Sequence, residues 1–150
     1  MSRQDKTKRV RSELLRIAKL NRGVLTAESV VSAARSKASP LHECFEWADT
    51  RAAQLWRLHQ ARNLIRVSVE IISPINGQEV EVRTFVSLTT DRNSEEGGGG
   101  YRVLTTVLTD SERRKQMLSD ALAEMSVFAQ KYAMLKELAV VFAAIKRVSR

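Results

Sequence analysis

A chain of 150 residues, 43% hydrophobic and 28% charged, is long enough for one domain to bury a core without the help of metal or disulfide. No apolar run approaches the roughly 18–20 residues of a membrane-spanning helix, and the charged start MSRQDKTKRVR is followed by no signal-like apolar segment, so no membrane partner is expected. The single cysteine, Cys44, excludes an internal disulfide and points to a reducing cytoplasm, while the net charge of +8 points to a polyanionic partner.

The stretch TKRVRSELLRIAKLNRG (7–23) predicts a first helix. At about 100° per residue, Val10, Leu14, Ile17, Ala18 and Asn21 share one side, and Lys8, Arg9, Arg11, Arg16, Lys19 and Arg22 fill the opposite arc. Gly23 is placed to end the helix in a left-handed conformation. LTAESVVSAARSK predicts a second, shorter helix with Thr26 as N-cap, Glu28 in its first turn and Val30, Val31, Ala33 and Ala34 on its apolar side. Ser39-Pro40 breaks it, and Leu41, Phe45 and Trp47 in the segment that follows predict an ordered connection.

Asp49 is the expected cap of a third helix, 50–66. Arg51, Leu55, His59, Arg62 and Arg66 form one ridge of it, and Ala52, Trp56, Ala53, Leu64, Ala61, Ile65 and Leu58 predict burial against neighbours on more than one side. RVSVEIIS and EVEVRTFVSL alternate as strands do, and Asn76-Gly77 between them signals a tight hairpin turn. TTDRNSEEGGGG (89–100) reads as a mobile loop and YRVLTTVL as a third strand, completing an antiparallel meander over 67–108. From Thr109 onward a capping box, Thr109 with Glu112 or the alternative cap Asp110, opens a helical pattern that continues to 148. Leu118, Met125, Tyr132 and Ala139 recur every seven residues. Ala121 or Leu122, Phe128 or Ala129, Leu135 and Phe142 fill the alternate positions. One helix of that length spans roughly 55 Å at about 1.5 Å per residue, too long for one globule to cover, and predicts self-association through Leu118, Met125, Phe128, Tyr132, Leu135 and Phe142.

Charge is distributed unevenly over these elements. Residues 1–22 hold eight lysines and arginines against two acids, and residues 67–109 hold three against six. The cationic excess lies at the N-terminal end, as in proteins that meet phosphates, although a solvated basic face is the plain alternative. Three helices followed directly by a strand, a tight turn and a strand is one layout of a winged helix-turn-helix. In that layout the third helix reads bases and the Asn76-Gly77 hairpin is the wing. Arg51, Gln54, Arg57, Arg62, Asn63 and Arg66 have suitable chemistry for base edges and phosphates, and Arg11, Arg16, Lys19 and Arg22 for phosphates. Two features run against that layout: the connection 37–49 is long for a helix-turn-helix, and the hairpin is acidic, with Glu70, Glu79 and Glu81.

Other constellations carry less. His42, Glu43, Cys44 and Glu46 lack the second ligand pair of a structural zinc site, and His42 beside Cys44 lacks the rest of a thiol-nucleophile constellation. Glu70, Glu79 and Glu81 lack the lysine a nuclease site would add. The run Gly97–Gly100 lacks a phosphate-loop lysine. Trp47, Trp56 and Phe85 have the chemistry to stack on bases but are assigned to the core at an aromatic content of 5%. No catalytic residue, metal or cofactor is expected.

The segment 25–71, through SPLH, FEW, the QAR-x-LIR helix and the strand after it, resembles a family of small phage and prophage proteins, as does YAMLKELAVVFAAI near the end. The resemblance implies action in a bacterial cytoplasm and brings no site residues. The overall expectation is an α+β single domain, 1–150: a helical unit at 7–66, with the winged helix-turn-helix as one layout, a three-stranded antiparallel sheet at 67–108, and a long oligomerisation helix at 109–148. Its expected role is non-catalytic DNA binding as a homodimer or higher oligomer, regulating or assisting phage DNA metabolism. The rival expectation is an adaptor or inhibitor that docks on a phage or host protein complex through the long helix and the acidic hairpin.

Overall fold

The structure is a computed structural model in which residues 3–47, 50–73, 77–93 and 99–149 are described. Where the sequence predicts one domain, the chain divides into two compact units, Met1–Thr106 and Val107–Arg150. The class is α+β, as expected.

The first unit opens with α1 (Arg3–Leu20), whose Leu14, Ile17 and Ala18 are buried. It ends as predicted: Arg22 and Gly23 take positive φ, and the Gly23 amide donates to the Ala18 carbonyl at 2.8 Å. A two-residue strand, β1 (Val24–Leu25), precedes α2 (Ala27–Ala34). Thr26 caps α2 in a reciprocal box with Ser29, and Ala27, Val30, Val31 and Ala34 face inward. Leu41 and Phe45 join the same core with Leu25, Ala61, Ile65 and Phe85.

The connection between α2 and the next helix is ordered, and the SPLH and FEW residues are what order it. A 3-10 turn at His42–Cys44 brings His42 onto Trp47, with ring centroids 5.1 Å apart and 11° between planes. The His42 Nδ1 donates to the Ala34 carbonyl at 2.9 Å, and the Trp47 indole N–H donates to the His42 carbonyl at 3.1 Å. These bonds tie the end of α2 to Trp47, ahead of the third helix, α3 (Arg51–Val67). The cap expected at Asp49 lies outside the described residues; Thr50 Oγ1 accepts the Ala53 amide and caps α3.

The β structure differs from a single meander. β2 (Val69–Ile72) and β3 (Val80–Arg83) pair antiparallel, Val69 opposite Arg83 and Ile72 opposite Val80, as a separate two-stranded ribbon. The three-stranded antiparallel sheet is β1, β5 (Tyr101–Val103) and β4 (Phe85–Val86), in the order β1-β5-β4. Buried Thr84 separates ribbon from sheet. Its amide donates to the Ser68 carbonyl and its own carbonyl accepts from the Leu104 amide, both at 2.9 Å. The Asn76-Gly77 turn falls only partly within the described residues, where Gly77 has φ +76°.

Within the segment predicted as a loop, Thr89–Arg92 is instead a helical turn, α4, because buried Asp91 fixes it. Both carboxylate oxygens of Asp91 accept from Arg102 on β5, at 2.6–3.0 Å. Beside this pair Gly100 lies close under β1: a Cβ there would sit 2.7 Å from Val24 Cγ1. Gly100→Ala should therefore cost about 2 kcal/mol in urea unfolding, through overpacking against a β-branched side chain. An unchanged unfolding midpoint would contradict this close approach.

α5 (Leu104–Thr109) leads into the second unit. The helix predicted over 109–148 is there broken into α6 (Ser111–Lys131) and α7 (Ala139–Val148), joined by Tyr132–Leu135 and a 3-10 turn at Lys136–Leu138. Asp110, not Thr109, caps α6 by accepting the Arg113 amide. Neither Pro nor Gly causes the break. A side-chain cluster accompanies it: Phe128 lies 4.7 Å from Tyr132, one turn on, and folding back adds Phe142 at 6.4 Å, an apolar contact that a continuous helix would forgo. No described helix is long and apolar enough to cross a membrane.

Candidate nucleic-acid interface

α3 carries four arginines, Arg51, Arg57, Arg62 and Arg66, and no acidic residue. Which of them face solvent follows from which face is buried. Arg57, Ala61 and Ile65, spaced by four, form the buried stripe. The helix is therefore held along one side, in contrast to the predicted burial on several. Arg51, Ala52, Leu55, Trp56, His59, Asn63 and Arg66 are exposed over an arc of about 140°, and Arg62 is half-buried at its edge.

Arg57 is the main correction among the predicted DNA contacts. Its side chain is 1% exposed, donates from Nη1 to the Glu46 carbonyl at 3.0 Å and places its guanidinium 5.3 Å from the centroid of Trp47. The Arg35 guanidinium lies 5.9 Å from the same ring. An arginine with its fork on a main-chain carbonyl and its plane near an indole is a structural member of the α2–α3 corner. Arg11 is likewise engaged, donating to the Val69 carbonyl at 2.9 Å and so fastening α1 to β2.

Among the described residues the exposed cations of α1 are Lys6, Lys8, Arg9, Arg16 and Lys19, the last four spread over about 100° opposite its apolar stripe, with Arg22 following the helix. Arg16 forms a two-pronged pair with Glu13 at 2.6 and 2.9 Å, which pushes the Glu13 carboxyl below the usual carboxylate range and raises the guanidinium further. Glu13 thereby offsets part of its charge locally. Lys6, Val10 and Arg11 share a mainly apolar cleft of about 250 Å³ with Leu64, Val67 and Ser68, so the N-terminal half of α1 lies beside the C-terminal end of α3.

Four polar or aromatic residues, Trp56, His59, Asn63 and Arg66, are joined on the exposed face of α3. The His59 ring stacks on Trp56 at 5.2 Å with 21° between planes. Its Nε2 lies 3.1 Å from Asn63 Nδ2, which donates to it, and Asn63 Oδ1 accepts from Arg66 Nη2 at 2.6 Å. Trp56, assigned to the core from sequence, is 51% exposed, and Leu55 beside it 63%. Phe85 is buried as expected, and Trp47 is half-buried in the corner.

The other constellations are taken apart by the fold. The register sets Glu70 opposite Val82 and Glu81 opposite Ile71, so Glu70 projects from one face of the ribbon and Glu79 and Glu81 from the other. Cys44 is half-buried, and burial pushes its thiol up, away from the lowered value that activates a nucleophile. No family model, no curated protein and no solved structure matches the chain, so the surface is interpreted from its own chemistry.

Proposed function

We propose that this is a non-catalytic nucleic-acid-binding protein that meets DNA through the exposed cationic faces of α3 and α1 and works as a homo-oligomer, as a regulator or accessory of DNA metabolism. The observation that carries the reading is the solvent face of α3, where Arg51, Arg62 and Arg66 surround a polar and aromatic ladder without one carboxylate on the helix. Helix cations kept for solubility are ordinarily interspersed with acids that form i,i+3 or i,i+4 pairs, as α6 does with Glu112 and Lys115. A face of one sign is suited to phosphates. The strand order β1-β5-β4, with β1 between α1 and α2, is also the order found in winged helices. Fluorescence anisotropy of labelled DNA with the full chain at low salt is the test. Micromolar or tighter binding is expected, and no binding would refute the proposal.

The second unit supports self-association. In α6 and α7, none of the described residues is buried; Leu118, Met125, Phe128 and Leu135 are each about half exposed, and Tyr132 and Phe142 are half-buried in the aromatic cluster. A two-helix hairpin with so little interior is completed when a second copy builds a four-helix bundle. Leu118→Glu with Met125→Glu should convert a dimer or larger species to monomer in sedimentation velocity at micromolar protein, without touching the Phe128–Phe142 contact. An unaltered mass would exclude this face as the interface. Self-association doubles the number of α3 faces per particle and so strengthens a modest single contact.

A second reading has its own observation. The β2–β3 ribbon exposes Ile71 on the face that carries Glu79 and Glu81, with Val80 on the opposite face, and the Ile71 face is suited to a basic, partly apolar protein partner. In an adaptor of that kind, charge reversal on α3 leaves partner binding intact.

A further inference from the structure

We infer that the α3 face binds single-stranded nucleic acid, with an unpaired base stacked on Trp56. The inference rests on the nucleic-acid reading above and names the form of strand. Duplex bases offer a protein only their edges in the grooves, whereas unpaired bases offer π-faces. The centre of the α3 face is built for the second. Trp56 keeps half of its surface exposed while His59 covers one side of the indole, so the accessible remainder lies on its other side and edges. Leu55, 63% exposed, adds a second apolar side chain to the same exposed arc. A polar reading helix laid in a major groove has little use for an indole and a leucine at its middle.

The ladder behind the platform is already in place. Arg66 donates to Asn63, Asn63 donates to His59, and His59 backs Trp56, so the indole is held by a chain of contacts spanning three turns of helix. Arg62 and Arg66 are one turn apart, about the separation of successive phosphates in an extended strand, and Arg51 supplies a third cation near the other end of α3. A strand running along α3 would meet a cation, a stacking surface and two further cations in turn. That arrangement binds without sequence preference, because every base has a π-face and every nucleotide a phosphate.

The test is a titration of the full-length protein with an oligothymidylate and with a duplex of equal length, read by anisotropy and by intrinsic tryptophan fluorescence. The oligothymidylate is expected to bind more tightly than the duplex and to quench fluorescence. Trp56→Ala should weaken oligothymidylate binding about ten-fold or more. Trp56→Phe should keep most of the affinity and lose most of the quench, because Trp47 sits in the corner away from this face, and a merely structural role for Trp56 would not separate the two readouts. Oligothymidylate affinity unchanged in Trp56→Ala, or a preference for duplex, would overturn the stacking inference and leave the DNA-binding reading standing. Failure of the wild-type chain to bind either form would overturn both.

Discussion

Arg57→Ala should destabilise the first unit by about 3 kcal/mol, the largest loss expected of any single arginine in α3. The side chain is all but inaccessible, so truncation leaves a cavity where large-to-Ala changes cost roughly 2–5 kcal/mol. It also removes a charged donor from the Glu46 carbonyl and a cation from the Trp47 ring, contacts worth about 1.5–3 and up to roughly 2 kcal/mol when desolvated. Rehydrating the guanidinium in the unfolded chain is what keeps the net loss below the sum. Arg57→Met retains the stem and should lose about half as much. Arg57→Lys keeps the charge without the planar fork and should not rescue the variant. Both tryptophans lie in this unit, so urea unfolding followed by fluorescence reports it directly. An alanine variant within about 1 kcal/mol of wild type would show that the corner does not depend on Arg57.

Arg62→Glu combined with Arg66→Glu should weaken DNA binding about 100-fold near physiological salt, the equivalent of about 2.7 kcal/mol. Each exchange removes a phosphate contact and adds a repulsion. Arg66→Glu also breaks the bond to Asn63 and so loosens the ladder that backs Trp56. Neither residue belongs to the buried stripe of α3, so the unfolding midpoint should move little. Loss of binding with retained stability would separate this surface from the structural role of Arg57, which the same helix places on the opposite side. An adaptor working through the β2–β3 ribbon would keep its partner after the same double change.

Regular amphipathic patterns were legible wherever one residue type meant one environment. Thr26 capped α2, Gly23 ended α1 with positive φ, and Leu14, Ile17, Ala18, Val30, Val31 and Ala34 went inside, because caps, left-handed glycines and aliphatic stripes each have a single cheap placement. α3 departs from its pattern for the opposite reason. An arginine reads as solvent-facing, so Arg57 hid the spacing of four that joins it to Ala61 and Ile65, and with the buried stripe misplaced Trp56 was assigned to the core. The clue available in the sequence was the tryptophan ten residues before Arg57, within the FEW motif, which could receive a guanidinium.

Long-range pairing was less visible still. Val24-Leu25 is too short to show alternation, yet it forms an edge of the three-stranded sheet, while the strongly alternating 69–83 stretch became a separate ribbon. The turn at Tyr132–Leu138 contains no helix breaker, and what favours it is the aromatic contact across the hairpin, which lies beyond the reach of a local pattern. Of the ten residues predicted to contact nucleic acid, Arg11 and Arg57 are taken up by the fold. Arg16 is partly neutralised by Glu13. Lys19, Arg22, Arg51, Gln54, Asn63 and Arg66 remain on the surface with Arg62 at its edge.

The salt dependence of DNA affinity, compared between wild type and the Arg62→Glu, Arg66→Glu double variant, tests the central claim most directly. Each neutralised phosphate contributes about 0.9 to the slope of log affinity against log salt on duplex and about 0.7 on a single strand. The wild-type slope should be steep and should fall by about 1.4–1.8 in the double variant. A slope unchanged by the double substitution would place the phosphates elsewhere and contradict α3 as the binding surface.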